Sequence, residues 1–128
     1  RDSASYYDLT SENACHMLLL GLLFGMPGYG DPLSNREGGY ERFDIRLEPS
    51  AAPAADGQVP LIVIEVKFLG TEASSERLAK AADEALGQIA QRAYDAGAPS
   101  SLRWGMAFAG KKMAAVCERQ SSKGARRR

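Results

Sequence analysis

Two charged side chains interrupt an otherwise apolar segment, residues 61–68, which reads LIVIEVKF. The segment is short, rich in β-branched residues and preceded by Pro60, and this pattern predicts a buried strand. Because side chains alternate between the two faces of a strand, Glu65 and Lys67 share one face and the other face is wholly apolar. Charges in a core strand are costly to desolvate unless they are paired or functional. Glu65 and Lys67 are therefore candidate site residues.

A second carboxylate lies upstream in a similar setting. Residues 42–48 read RFDIRLE and alternate strictly, which predicts a half-buried strand with Asp44 on its polar face. If this strand pairs with the 61–68 strand, Asp44 can lie beside Glu65. Two carboxylates with an adjacent lysine suit Mg²⁺ or Mn²⁺, since magnesium takes one or two carboxylates together with waters and substrate phosphate. Such a metal can activate a water and stabilise the charge of a phosphate transition state.

The order of Asp44, Glu65 and Lys67 resembles the D…ExK core of the PD-(D/E)XK nuclease superfamily. Further motifs resemble one branch, usually found C-terminal to an ATPase-like domain in bacterial proteins. Residues 12–16 (ENACH) are similar to its ExxYH helix start, and residues 34–44 (SNREGGYERFD) to its SNRExGxGRxD segment. Residues 88–94 are similar to its QIxxKxY helix, and residues 105–111 to its GIxFxxK segment. The motifs follow in order over residues 6–117, with departures at Cys15 and Glu41.

The resemblance implies a restriction-endonuclease-like α-β-β-β-α-β core, a mixed central sheet flanked by helices. It implies that Asp44 and Glu65 ligate the metal, with Glu12 as an outer ligand through water. It also implies that Gln88 faces the site and orients Lys67 or a phosphate. Each residue has a simpler interpretation: a structural charge cluster for the acids and lysine, a helix-start acid for Glu12 and an exposed amide for Gln88. The sequence leaves open whether Lys67 acts as a base.

Four basic residues are candidate nucleic-acid contacts. Arg36 and Arg42 can hold phosphate bidentately, or they can pair with neighbouring glutamates. Lys111 and Lys112 can attract a phosphate backbone. Residues 105–111 also match the P-loop pattern GxxxxGK, but Lys112 stands where a P-loop needs serine or threonine, so we interpret that match as chance.

The predicted elements are consistent with a mixed sheet. An antiparallel run of strands followed by a strand–helix–strand crossover predicts this architecture. A helix capped by Thr10 or Ser11 should run to about Phe24, and it is apolar on nearly all sides, so it should be buried or covered by a partner. His16 in this helix is interpreted as a hydrogen-bonded core residue, and Tyr94 as packing. The remaining predictions are a lead-in at 1–9, strands at 33–37, 42–48, 60–68, 102–109 and 113–117, a flexible loop at 49–59 and a helix at 73–96.

Length and charge favour one domain, residues 1–118, followed by a basic, disordered tail at 119–128. Residues 1–102 carry 8 basic and 15 acidic side chains, whereas residues 103–128 carry 8 basic and 1 acidic. Cys15 and Cys117 have no zinc-ligand spacing and are predicted to be buried free thiols, typical of a cytoplasmic protein. The apolar run at 17–26 is too short to span a bilayer, so we expect no membrane association.

These observations predict a magnesium-dependent nuclease that hydrolyses phosphodiester bonds, with DNA as the expected substrate. The alternative is a non-catalytic module of the same fold that binds nucleic acid or protein within a larger ATPase-like protein. The chain begins at Arg1 rather than methionine, which suggests a missing upstream domain of that type. A second copy of the chain is a further candidate partner.

Overall fold

The computed structural model describes residues 11–36, 41–50 and 59–121 of the chain. Within these ranges the order is helix, three strands, helix and two strands, as predicted. The bounds are α1 Glu12–Leu23, β1 Leu33–Arg36, β2 Arg42–Leu47, β3 Leu61–Phe68, α2 Ser75–Arg92, β4 Ser100–Ala109 and β5 Lys112–Ser121. The predicted lead-in, the centre of the 49–59 loop and residues 122–128 of the predicted tail lie outside the described ranges.

The strands form one five-stranded sheet in the order β1-β2-β3-β4-β5. β3 and β4 are parallel, whereas the other neighbouring pairs are antiparallel. Parallel neighbours need a crossover connection, and α2 supplies it on one face of the sheet. α1 packs on the opposite face. The architecture is therefore α/β, with a mixed sheet flanked by two helices, as predicted.

α1 covers the apolar face of β2 and β3 with a narrow part of its surface. It begins at Ser11, whose side-chain oxygen accepts a hydrogen bond from the Ala14 backbone N–H at 3.0 Å. Its buried residues are Cys15 and Leu19, and they share one core with Phe43, Ile45, Leu47, Ile62, Ile64, Val66, Phe68 and Phe108. The predicted alternation of both strands is thus confirmed. Of the two predicted alternatives for α1, complete burial within this chain is wrong, because Met17, Leu22 and the following Phe24 are more than half exposed, and cover by a partner stays a prediction.

α2 packs one apolar side on the other face of the sheet. Its N-cap is Ser74, which accepts from the Arg77 backbone N–H at 3.1 Å, and its buried residues are Leu78, Ala81, Ala82, Ala85 and Ile89. The helix ends at Arg92, before the predicted end near residue 96. The reason is Ala93, which takes a left-handed conformation with φ of 54° and whose N–H bonds back to the carbonyls of Ile89 and Ala90.

Gly105 of β4 is the point where α2 lies closest to the sheet. A Cβ atom at this position would stand 2.2 Å from the Ala82 carbonyl oxygen and 2.6 Å from the Leu86 backbone nitrogen. Both contacts are with helix backbone, which cannot rotate aside as a side chain can. A side chain at residue 105 would therefore force α2 away from the sheet.

A buried ion pair fixes the connection between α2 and β4. Asp95 accepts hydrogen bonds from Arg103 Nε at 2.8 Å and Nη2 at 3.1 Å, and from the Ser101 hydroxyl. The Arg103 hydrogen bond is the main cause that holds the pKa of Asp95 below its ordinary value, although burial opposes it. The turn at 93–99 is thereby attached through Asp95 to two residues of β4.

Two predictions near the C-terminus need correction. β5 runs to Ser121 rather than to residue 117, so residues 119–121 belong to the sheet and not to a tail. The polar residues continue the strand because Glu118 accepts from Arg103 of β4 at 3.1 Å and from Gln120 at 2.7 Å. Cys117 is exposed, whereas Cys15 is buried as predicted, and both thiols are free. No helix in the described ranges has the length and apolar character needed to cross a membrane.

The close approach at Gly105 predicts a large effect from a single methyl group. Gly105→Ala should destabilise the fold by about 2–3 kcal/mol, the upper part of the range for overpacked cores. The matched control is Gly87→Ala in α2, where an added Cβ would meet nothing within 4 Å. That change should stabilise the protein by about 0.5–1 kcal/mol, because alanine is the better helix former. Urea unfolding of both variants tests this prediction, and equal midpoints would contradict it.

Candidate metal site

Asp44 of β2 lies directly opposite Glu65 of β3 in the antiparallel register. Side chains of directly opposed residues point to the same face, with Cβ atoms about 5 Å apart. The two carboxylates are therefore neighbours on the face that also carries α2. Asp44 is 7% exposed and Glu65 is fully buried. The sequence-based expectation that these two acids meet is confirmed.

The residues paired with Asp44 and Glu65 on the neighbouring strands differ in exposure across the sheet. Asn35 is paired with Asp44, Asp44 with Glu65, and Glu65 with Gly105. Asn35 is exposed, whereas Gly105 lies beneath α2. The carboxylate pair thus lies at the edge of the area that α2 covers. Solvent can reach the pair from the side of β1 and β2.

Lys67 projects from the same face, two residues beyond Glu65. Its Nζ donates to Glu84 Oε1 of α2 at 3.1 Å. This hydrogen bond, with the charge of the lysine, lowers the pKa of Glu84 below its ordinary value. Glu84 was not among the predicted site residues, although its position one helical turn before Gln88 places both on one face of α2. The ammonium group is held between α2 and β3, next to the carboxylate pair.

Gln88 hydrogen-bonds Arg42 of the sheet, whereas the resemblance implied that it orients Lys67 or a phosphate. Arg42 Nη1 donates to Gln88 Oε1 at 3.0 Å, and Arg42 is the cross-strand partner of Lys67. The amide therefore orients a guanidinium group beside Lys67. Of the four predicted nucleic-acid contacts, Arg42 lies closest to the carboxylate pair on the pair's own face of the sheet.

The sequence predicts only a packing role for Tyr94. It does pack, against the small cluster of Leu61, Val63 and Ile89. Burial raises the pKa of Tyr94, a hydrogen bond from Arg92 at 2.8 Å opposes this shift, and the charges of Glu65 and Asp44 raise the pKa further. Val63, in the cluster on which Tyr94 packs, lies two residues before Glu65 on the same face of β3. The resemblance of residues 88–94 to QIxxKxY was the sequence signal for these two residues. Arg92 stands at the lysine position of that motif and Tyr94 at its tyrosine position.

Glu12 and Arg36 lie across the sheet from the acids. Arg36 Nη1 forms an ion pair with Glu12 Oε1 at 3.2 Å, and Arg36 is the cross-strand partner of Phe43, whose side chain belongs to the core beneath α1. The structure therefore does not bring Glu12 or Arg36 to Asp44 and Glu65. The role of Glu12 as an outer metal ligand stays a prediction without support from this arrangement.

His16 of α1 belongs to the same polar group as Glu12 and Arg36. Arg36 Nη2 approaches its Nδ1 at 3.1 Å, while its Nε2 lies 2.5 Å from the Ser34 hydroxyl. Because a guanidinium group can only donate, Nδ1 accepts and Nε2 carries the proton. The imidazole thus donates to Ser34 and does not act as its base, as a hydrolytic triad would require. The ring also packs on Phe43, with centroids 4.5 Å apart.

Lys111 and Lys112 lie in and after the turn between β4 and β5. Lys112 Nζ is 3.4 Å from the Ala73 carbonyl oxygen, just before α2 begins. Both lysines line a depression of about 640 Å³ with Thr71, Ala73 and Ser74. They are exposed, as nucleic-acid contacts must be, but the register separates them from the Asp44–Glu65 row.

The donor set at the carboxylate pair fits a hard divalent cation. Asp44 and Glu65 are adjacent oxygen ligands, and magnesium commonly uses one or two carboxylates together with water and phosphate oxygens. Like charges directly opposed across two strands repel each other, so a cation between them would relieve an unfavourable contact. Among the described residues, no group of three or more histidines, cysteines or acids converges.

Comparison of the chain with family models, with curated proteins and with solved structures gives no match.

The environment of His16 predicts opposite pKa shifts in two variants. Burial is the main cause that lowers its pKa below the ordinary value, Arg36 lowers it further and Glu12 raises it. Arg36→Gln should therefore raise the pKa and Glu12→Gln should lower it. His16 is the only histidine, so one imidazole resonance in an NMR titration reports the result. Because the folded-state pKa is below the unfolded value of about 6.5, the wild type should also lose stability as pH falls through that value. Shifts of the same sign in both variants would contradict this arrangement.

Proposed function

We propose that this protein is a metal-dependent nuclease that hydrolyses phosphodiester bonds of DNA with Mg²⁺ or Mn²⁺. The observation that carries the proposal is the direct opposition of Asp44 and Glu65 on one face of the sheet, with Lys67 beside them. Membership of the PD-(D/E)XK superfamily, with its restriction-endonuclease-like core, is part of the proposal. The order of one helix, three strands, a helix and a further strand is consistent with that core.

The residues around the pair have complementary roles in this proposal. Asp44 and Glu65 would hold the cation, and Lys67 would position the attacking water or the scissile phosphate. Arg42, oriented by Gln88, would contact a phosphate oxygen of the substrate. When bound, the cation would supply charge stabilisation for in-line displacement at phosphorus and lower the pKa of a bound water.

Burial of the pair supports a role in chemistry. Glu65 is fully buried and Asp44 nearly so, which strengthens electrostatic interactions with a bound cation relative to the same interactions in water. The adjacent side of β1 and β2 is accessible in the described structure, since Leu33 and Asn35, which lie on the face of the acids, are exposed. A backbone phosphate could therefore approach the acids from β1 while α2 shields their far side.

A second candidate function is a non-catalytic module of the same fold that binds a protein or nucleic acid. The exposed side chains of Met17 and Leu22 on α1, and of Phe24 directly after it, favour this alternative, because a helix that is apolar on nearly all sides is buried or covered by a partner. Incubation of the domain with supercoiled and linear DNA, with and without Mg²⁺ or Mn²⁺, distinguishes the two. Metal-dependent nicking supports the nuclease, and DNA binding without cleavage supports the module.

Neutral replacements at the carboxylate pair should remove metal binding. Asp44→Asn and Glu65→Gln keep the side-chain shape and remove the charge, so each should abolish detectable Mn²⁺ binding in calorimetry and DNA cleavage. The control is Asp83→Asn, an exposed acid on α2, which should leave both unchanged. Circular dichroism should show that the variants remain folded. Wild-type Mn²⁺ affinity in both pair variants would disprove the metal site.

Replacement of Lys67 separates catalysis from structure. If its role is catalytic, Lys67→Met should eliminate cleavage, retain Mn²⁺ binding and leave the melting temperature nearly unchanged, since the ion-pair partner Glu84 is exposed. If Lys67 instead neutralises the buried Glu65, the same change should lower stability by about 3–5 kcal/mol. Lys80→Met, at an exposed lysine of α2, is the control. A destabilised variant with wild-type cleavage would refute the catalytic role.

A further inference from the structure

β5 is a long edge strand with an uncharged centre. It comprises Lys112–Ser121, 10 residues, and among the described strands it pairs only with β4. The other edge strand, β1, has only 4 residues. An edge strand presents a row of backbone N–H and C=O groups that can pair with another strand, and proteins usually block such edges with proline or charge. Residues 114–117 of β5, which read AAVC, contain neither.

The sequence of β5 is self-complementary in one antiparallel register. When Ala115 lies opposite the partner's Ala115, Lys112 lies opposite the partner's Glu118 at both ends of the pairing. Opposite charges directly across two strands stabilise the pair. A register centred on Val116 instead places Met113 opposite the partner's Arg119. A register centred on Cys117 places Ala115 opposite that same arginine. Of these three registers, only the one centred on Ala115 places Lys112 opposite the partner's Glu118.

The apolar residues of β5 also match in that register. Met113 would contact the partner's Cys117 on the face of α1, and Ala114 would contact the partner's Val116 on the face of α2. Met113 is half exposed and Cys117 is exposed in the single chain. On the same face, Trp104 and Met106 of β4 are only partly buried. Pairing of two β5 strands would cover part of this apolar surface.

The helices leave room for the pairing. α2 lies over β4, and the two β4 strands of such a dimer would be three strand spacings apart, about 14 Å. Packed helices need an axial separation of only 8–10 Å. A two-fold axis perpendicular to the sheet would keep each α2 on the same face of the joined sheet without a clash.

We propose that two copies of this chain associate through antiparallel pairing of their β5 strands about a two-fold axis at Ala115. The product is a continuous sheet of ten strands, with an ion pair between Lys112 and the partner's Glu118 at each end of the pairing. The proposal is independent of the nuclease proposal, since no residue of β5 belongs to the carboxylate site.

Charge reversal tests the ion pairs. Sedimentation equilibrium of the wild type, from micromolar to millimolar concentration, should show a monomer–dimer equilibrium. Lys112→Glu places like charges opposite each other twice and should raise the dissociation constant by about tenfold or more. Lys80→Glu, at an exposed lysine on α2, should leave the dissociation constant unchanged. A wild type that is monomeric throughout, or a dimer equally affected by both changes, would overturn the proposal.

Disulfide formation tests the register. Directly opposed residues have Cα atoms about 4.5–5.5 Å apart, which suits a disulfide. Met113→Cys places a thiol opposite the partner's Cys117, so oxidation should give a covalent dimer on a non-reducing gel. The wild type should give none, since its two Cys117 residues are not opposed in this register. The double variant Met113→Cys/Cys117→Ser is the control and should stay monomeric on the gel. A wild type that cross-links as readily as Met113→Cys would overturn the register.

Discussion

The contact between the α2 backbone and Gly105 is the constraint on which the rest of the structure depends. It sets the distance between helix and sheet at the level of Glu65, which is the neighbour of Gly105 on β3. With the helix at this distance, Glu84 reaches Lys67 and Gln88 reaches Arg42. A helix held further out by a side chain at residue 105 would lose these two hydrogen bonds. The small residues of α2, Ala81, Ala82 and Ala85, permit the same approach from the helix side.

The polar side chains under α2 form two regions with different character. At one end of the helix, Asp95 and Arg103 form a bidentate ion pair, and Ser101 and Glu118 complete their hydrogen bonds. Near the middle, Asp44 and Glu65 place two acids side by side. Mutual satisfaction is typical of a structural pair, whereas like charges held together require a compensating positive charge. This contrast within one helix–sheet interface supports the proposal of a metal site at the second region rather than at the first.

Much of the sheet could be predicted from the sequence, because strand alternation is a local signal. The apolar faces of β2 and β3 follow directly from their residue patterns, and the pairing of Asp44 with Glu65 followed once the two strands were assumed to be neighbours. The end of α2 could not be predicted, since Ala93 carries no sign of its left-handed conformation. The polar end of β5 resembled a tail because its strand character depends on Arg103, which is distant in sequence. The exposure of Met17, Leu22 and Phe24 depends on how much of the sheet α1 covers, and no local pattern reports that.

The different exposure of the two cysteines makes detachment of α1 from the sheet measurable. The Cys15 thiol is fully buried, and burial, with a further contribution from Glu12, raises its pKa to about 12, so it is unreactive while α1 is docked. In the described structure α1 has two buried side chains, Cys15 and Leu19, and its other contacts with the sheet, such as the Glu12–Arg36 ion pair, involve partly exposed groups. Elements with few buried contacts detach at lower free energy than the whole domain unfolds. The rate at which a thiol reagent modifies Cys15, compared with the rate for exposed Cys117, would therefore measure the excursions of α1 from the sheet under native conditions.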